Sequence, residues 1–83
     1  MSRLLAEPAP LDVAAPGGVP RLVRMGRREH AVRRIFARWR VDADWWRTRV
    51  DREYWKVDLG EASVCEIYQD RLGQGWWLSR VYD

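Results

Sequence analysis

From Glu53 to Leu59 apolar and polar residues alternate, with Trp55, Val57 and Leu59 on one side and Tyr54, Lys56 and Asp58 on the other. Period two is the mark of a half-buried strand, because successive side chains of an extended chain point opposite ways. Two more runs follow at once. Gly60-Glu61-Ala62 is a turn signal, Val64 to Gln69 is β-branched and aromatic, and Asp70 to Gly75 holds two glycines ahead of a last run, Trp76 to Tyr82. The C-terminal half therefore reads as a three-strand meander, and the rest of the chain has to fold onto a sheet.

Six tryptophans are set into this frame, four of them as the pairs Trp45-Trp46 and Trp76-Trp77. Each can bury a large apolar area or offer a flat stacking surface. In extended backbone the two rings of a pair cannot both point inward. Trp76 is expected to share the core face with Leu78, leaving Trp77 opposite with Ser79 and Val81. One ring of Trp45-Trp46 is expected to be at least partly exposed in a loop beside the arginines.

The N-terminal half is divided by its turn residues. Residues 1–9, with Pro8 and then Pro10, read as a flexible N-terminus, and 10–83 as a single small β domain. Leu11-Asp12-Val13 and Arg21 to Met25 are strand candidates separated by Ala15-Pro16-Gly17-Gly18, and Gly26-Arg27 is a tight turn. Residues 28–41 fit two patterns. As a helix they place Ala31, Val32, Ile35, Phe36 and Trp39 on one stripe. As a strand, Ile35, Ala37, Trp39 and Val41 alternate with Arg34, Phe36, Arg38 and Arg40, given a bulge near Arg33-Arg34. The expected fold is all-β: a small antiparallel sheet or partly open barrel of five to six strands, with a short helix at 28–41 as the alternative to a bulged strand.

Several functional classes drop out. Eighty-three residues make at most one small domain. The apolar runs are too short for a membrane span, and the start lacks the apolar centre of a secretory signal. A single cysteine, Cys65, and a single histidine, His30, make neither a disulfide nor a structural zinc site. Cys65 alternates with Ile67 and is expected to be a buried small apolar residue. Asp42 with Asp44, and Glu66 with Asp70, are carboxylate pairs. No histidine, cysteine or glycine-rich phosphate cradle accompanies them, so they are expected to pair with arginines. The expectations are no catalytic residue, no metal, no cofactor, a cytoplasmic location and no membrane contact.

Charge is the remaining signal. The formal net charge is +3, but residues 21–52 hold eleven arginines against Glu29, Asp42, Asp44 and Asp51, while 53–83 are acidic. A basic centre suits an anionic partner, or is neutralised by pairing with the acidic third. Arg34, Arg38 and Arg40, with Phe36 among them, would line one face of a strand, and Trp45, Trp46, Arg47 and Arg49 follow. Tryptophan and arginine dominate protein-contact hot spots. The same residues suit single-stranded DNA or RNA, where arginines meet phosphates and rings stack on bases.

An ordered set of segments carries a resemblance. It comprises Pro10-Leu11-Asp12-Val13, Pro20 through Gly26-Arg27, Val32-Arg33-Arg34-Ile35, Trp39, Trp45-Trp46-Arg47, Arg52-Glu53-Tyr54-Trp55-Lys56-Val57, Glu66-Ile67-Tyr68, Asp70, Gly75-Trp76-Trp77-Leu78 and Arg80-Val81-Tyr82-Asp83. In these the chain resembles the bacterial family called domain of unknown function 6504, from residue 10 onward. Similar segments end Y-family DNA-polymerase-like proteins of the error-prone repair mutasome. The chain departs from the family at Met25, where members often carry Trp, and at His30, where they often carry Tyr. The resemblance implies a β-rich fold, tips 28–41 toward a long bulged strand, and brings no established activity. The expected function is a non-enzymatic, protein-binding interaction module in DNA repair or translesion synthesis, with a mutasome polymerase as partner. Direct single-stranded DNA or RNA binding is the alternative. Both readings use Arg34, Arg38, Arg40, Trp45, Trp46, Arg47 and Arg49.

Overall fold

The computed structural model describes residues 2–45 and 48–82. It contains strands β1 (Ser2–Ala14), β2 (Leu22–Met25), β3 (Arg28–Ala31), β4 (Arg34–Trp45), β5 (Thr48–Asp58), β6 (Val64–Asp70) and β7 (Trp76–Tyr82). They form one open antiparallel sheet in the order β3-β2-β1-β7-β6-β5-β4. Single 3-10 turns at Pro16–Gly18 and Gly60–Ala62 are the helical elements described. None is long and apolar enough to cross a membrane.

The meander β5-β6-β7 follows from the alternation. Trp55 lies opposite Ile67 and Val57 opposite Cys65, and all four are buried. Across the next ladder Ile67 meets Leu78 and Cys65 meets Val81. Between those two rungs the register slips, leaving Ser79 as an extra residue in β7. That bulge corrects one expectation. Strict alternation puts Val81 on the face of Trp77, but the extra residue turns Val81 back to pack on the core with Trp76 and Leu78.

Region 28–41 is extended throughout, so the helical alternative is not adopted. It is not one strand either. Val32 and Arg33 separate β3 from β4, and this break raises the count to seven strands where five to six were expected. The bulge sits at Phe36, between the pairs Ile35–Val57 and Ala37–Lys56, rather than near Arg33-Arg34. Gly26, at φ 63, makes the β2–β3 turn.

The N-terminal segment expected to be loose is largely a strand. Ser2, Arg3 and Leu4 pair with Tyr82, Val81 and Arg80. The ladder then breaks and resumes at Ala9–Leu78, so Pro8 falls where no rung requires an N–H. Beyond Leu11, β1 changes partner, and Asp12 to Ala14 pair with β2. This handover carries the β2–β3 hairpin over one face of the meander. Val32 donates to the Arg21 carbonyl at 2.9 Å and Arg33 to the Asp58 carbonyl at 2.8 Å, which ties the hairpin's base to the end of β5. Val23, Trp55, Val57, Leu59, Cys65 and Ile67 form the buried cluster, with Leu11, Val13, Val19, Met25 and Val32 packed against it.

Ile67 is fully buried between β5 and β7. Ile67→Ala is expected to cost about 2–5 kcal/mol and to lower the melting temperature by on the order of 10 °C or more. Leu72→Ala, at a residue 49% exposed in the β6–β7 turn, should change stability by less than about 0.5 kcal/mol. Urea and thermal melts of both variants check this.

Candidate functional site

Because β5 faces two ways, each side of the sheet acquires its own chemistry. On the side away from the core, register aligns Trp39, Tyr54, Tyr68, Trp77 and Pro10 across β4, β5, β6, β7 and β1. The Trp39 and Tyr54 rings stack with centroids 5.3 Å apart and planes within 6°, and Tyr54 and Tyr68 follow at 5.0 Å. The Arg52 guanidinium lies 4.6 Å from the Tyr68 ring and donates to the Tyr54 hydroxyl at 3.2 Å. Burial pushes the Tyr68 phenol above its usual range. Sequence reasoning placed Tyr54 and Trp77 off the core face but missed the row. The signal was the shared parity of Tyr54, Tyr68 and Trp77 on consecutive strands. Trp39, Tyr54 and Tyr68 pack on one another, so this part of the row acts as a cross-strand brace.

On the core side, beyond Trp55, the β4–β5 hairpin carries a ladder of diagonal ion pairs. Arg38 donates to Glu53 Oε1 at 3.0 and 2.8 Å, and its guanidinium sits 4.4 Å from the Trp55 ring. Arg40 grips both oxygens of Asp51, at 3.0 and 2.9 Å. Arg49 stands 3.6 Å from Asp42 and 4.0 Å from Asp51, while Arg71 reaches Asp51 at 3.6 Å from the β6–β7 turn. The Asp51 side chain is only 7% exposed. The hydrogen bonds from Arg40 hold its carboxyl below the usual carboxylate range against the opposing effect of burial. The same hydrogen bonds raise Arg40.

Among the described members of the seven expected site residues, one face does not hold them all. Arg38, Arg40 and Arg49 share the core-side face and are all engaged in ion pairs. Arg34 does not join them. The bulge at Phe36 turns Arg34 to the opposite face, in register with Asp58. Trp45 ends β4 and pairs with Thr48, and Arg49 lies in β5, so both are in strands rather than in a loop. The Trp45 side chain, Trp46 and Arg47 lie outside the described residues, and with them the expectation of one exposed ring in that pair. Asp42 pairs with Arg40 and Arg49, as expected for that carboxylate. Glu66 instead accepts from the Ser79 and Tyr82 hydroxyls at 3.0 and 3.4 Å. Asp70 Oδ1 caps the amides of Leu72 and Gly73.

Other chemistry is sparse. No group of three His, Cys, Asp or Glu side chains among the described residues is placed to hold a metal ion. Cys65 is buried, and burial raises its thiol above the ordinary value. Comparison with protein families, characterised proteins and solved structures returns no match to this chain.

The ladder predicts an acid signature. A carboxyl held low in the fold adds stability above its unfolded pKa of about 3.9 and loses it as pH falls through the lower folded value. The gap in melting temperature between the wild type and Arg40→Met should therefore be full above about pH 4 and shrink below it. A gap that stays constant down to about pH 2 would mean that Arg40 acts by packing alone.

Proposed function

We propose that the chain is a non-enzymatic interaction module that receives an extended segment of a partner protein along the free edge of β4. The observation that carries this reading is the edge itself. β4 runs for 12 residues and pairs with β5 alone. Exposed edges are ordinarily kept short or blunted with lysine and proline. The opposite edge, β3, has only four residues. β4 contains no proline and no lysine; its bulge at Phe36 and its charged residues blunt it only in part, and at its start Ile35 and Phe36 are 39% and 46% exposed. The ties from Arg38 to Glu53 and from Arg40 to Asp51 fasten the strand to β5 beyond the Phe36 bulge, so a partner strand would meet an anchored template there. Main-chain bonds would supply affinity, and the alternating side chains of β4 would supply selection.

The partner class comes from the resemblance to domain of unknown function 6504, which supports a mutasome DNA polymerase as the first protein to test. Nucleic-acid binding through the seven expected residues is the weaker reading, because Arg38, Arg40 and Arg49 already satisfy carboxylates.

Hydrogen exchange tests the proposal. On adding the cognate lesion-bypass polymerase, amides of 34–45 should gain protection, and Phe36→Glu should weaken binding at least tenfold. Leu72→Glu, equally exposed but outside β4, should leave it unchanged. A complex that forms without protecting 34–45 refutes the edge as the docking site, and no complex at micromolar concentrations refutes the partner.

A further inference from the structure

Pairing divides the arginines unequally. Those of the β4–β5 hairpin face meet carboxylates. Arg21, Arg33 and Arg34 make no ion pair with any described residue. These three line a single cleft of about 170 Å³, whose other walls are Pro20, Val32 and Ile35. No acid is among its walls. The nearest in register is Asp58, opposite Arg34, and its Oδ1 accepts instead from the Gly60 amide at 2.8 Å. The cleft's backbone is fixed from both sides by the bonds Arg21 to Ala14, Val32 to Arg21 and Arg33 to Asp58. Arg33 is itself laid against the β5–β6 turn. A Cβ added at Gly60, whose φ is +70, would stand 2.7 Å from Arg33 Nε.

Beside this cleft lies the bulged residue Phe36, the one large aromatic ring that is plainly exposed among the described residues. The Arg34 guanidinium is 5.7 Å from its centroid. Trp39, Tyr54 and Tyr68 stack on one another, whereas Phe36, 46% exposed, meets the Arg34 guanidinium and stacks on no ring among the described residues.

We infer that this cleft binds single-stranded nucleic acid, with the guanidiniums of Arg21, Arg33 and Arg34 on the phosphodiester backbone and Phe36 stacked on a base. Unpaired guanidiniums call for an anion, and phosphate matches their fork of donors. The adjacent ring separates a nucleotide from a bare anion or an acidic peptide, since a base supplies the π-face to stack. A duplex keeps its bases stacked and cannot offer one. The site lies apart from the β4 edge proposed for a partner strand except at Arg34, Ile35 and Phe36, so one occupant would sense the other.

The test is fluorescence anisotropy of a labelled oligothymidylate titrated with the full chain at low and raised salt. Binding should weaken with salt at a logarithmic slope of about −2, as expected for three phosphate contacts on a single strand. Arg21→Ala and Arg34→Ala should each weaken binding about tenfold and flatten the slope by about 0.7. Arg27→Ala removes the same charge at the far end of the β2–β3 hairpin and should change binding less than twofold. Phe36→Ala should weaken binding to oligothymidylate at least fivefold and leave binding to an abasic strand unchanged. Where Arg33→Ala fails to fold, Arg33→Gln keeps the stem against Gly60 and carries the test. Absence of binding at micromolar protein in low salt overturns the inference. So does an equal loss with Arg27→Ala, or displacement of the strand by polyglutamate of equal charge and affinity.

Discussion

The two faces of β5 hold the molecule together. Odd-numbered residues of this strand build the core side and even-numbered ones the other. Trp55 and Val57 are therefore buried against β6, while Tyr54 stacks between Trp39 and Tyr68. On the odd face, the two residues before Trp55 are acids. Asp51 and Glu53 lie past the reach of the β2–β3 hairpin that covers the apolar end, and the arginines of β4 cover them instead. The core side thus changes from hydrophobic to ionic along one strand. The changeover falls at Trp55, whose ring meets Arg38 on one side and Ile67 across the ladder. Its indole N–H is buried with no hydrogen-bond partner among the described residues. Such a group costs about 1–3 kcal/mol, less than the roughly 4–6 kcal/mol gained by burying the ring. The site tolerates this because few other side chains could seal the core and also present a face to a guanidinium.

Two single-residue insertions decide what each face carries. Ser79 in β7 keeps both Leu78 and Val81 inward, and Phe36 in β4 separates Arg34 from Arg38 and Arg40. A bulge reverses side-chain parity for everything beyond it. This explains why the meander was readable from its own alternation while the arginine face was not. The glycines at 26 and 60 and the pattern of 53–59 are local signals, and they gave the β2–β3 turn, the β5–β6 turn and the core triplet Trp55, Val57 and Leu59. The position of a bulge depends on the partner strand. In 28–41 the apolar residues suit a stripe or an alternation equally well, and only docking against β5 chooses between them. Trp39, which any hydrophobic pattern would send inward, turns outward because Tyr54 is its neighbour there. The edge position of β4 leaves the inward side of that rung to Arg38.

The N-terminal segment illustrates the same limit. Two prolines argue against regular structure within 1–10. The argument holds only for positions that must donate to a ladder, and Pro8 lies within the register break between Leu4 and Ala9. The edge of β7 that β1 occupies is a long-range feature that no composition signal in 2–9 announces.

The count of arginines is a poor guide to where this protein meets an anion, and their pairing is a better one. A guanidinium that already spans a carboxylate takes a phosphate either with its remaining N–H donors, beside a repelling carboxylate, or by surrendering two hydrogen bonds. In the latter case the net gain is small, and a carboxylate is left uncompensated. Arg40 on Asp51 is in that position, and so is Arg38 on Glu53. Surface arginines without a partner carry no such penalty, and their mutual repulsion is relieved when an anion arrives. Asp51 and Glu53, at the β4–β5 end of the core side, are the acids that engage Arg40 and Arg38. The cleft where Arg21, Arg33 and Arg34 meet the start of β4 has no acid in its walls. A formal charge of +3 therefore does not locate the anion-facing surface. Electrostatic recognition by this fold depends on which arginines the sheet leaves unanswered, and the register of β4 against β5 determines that choice.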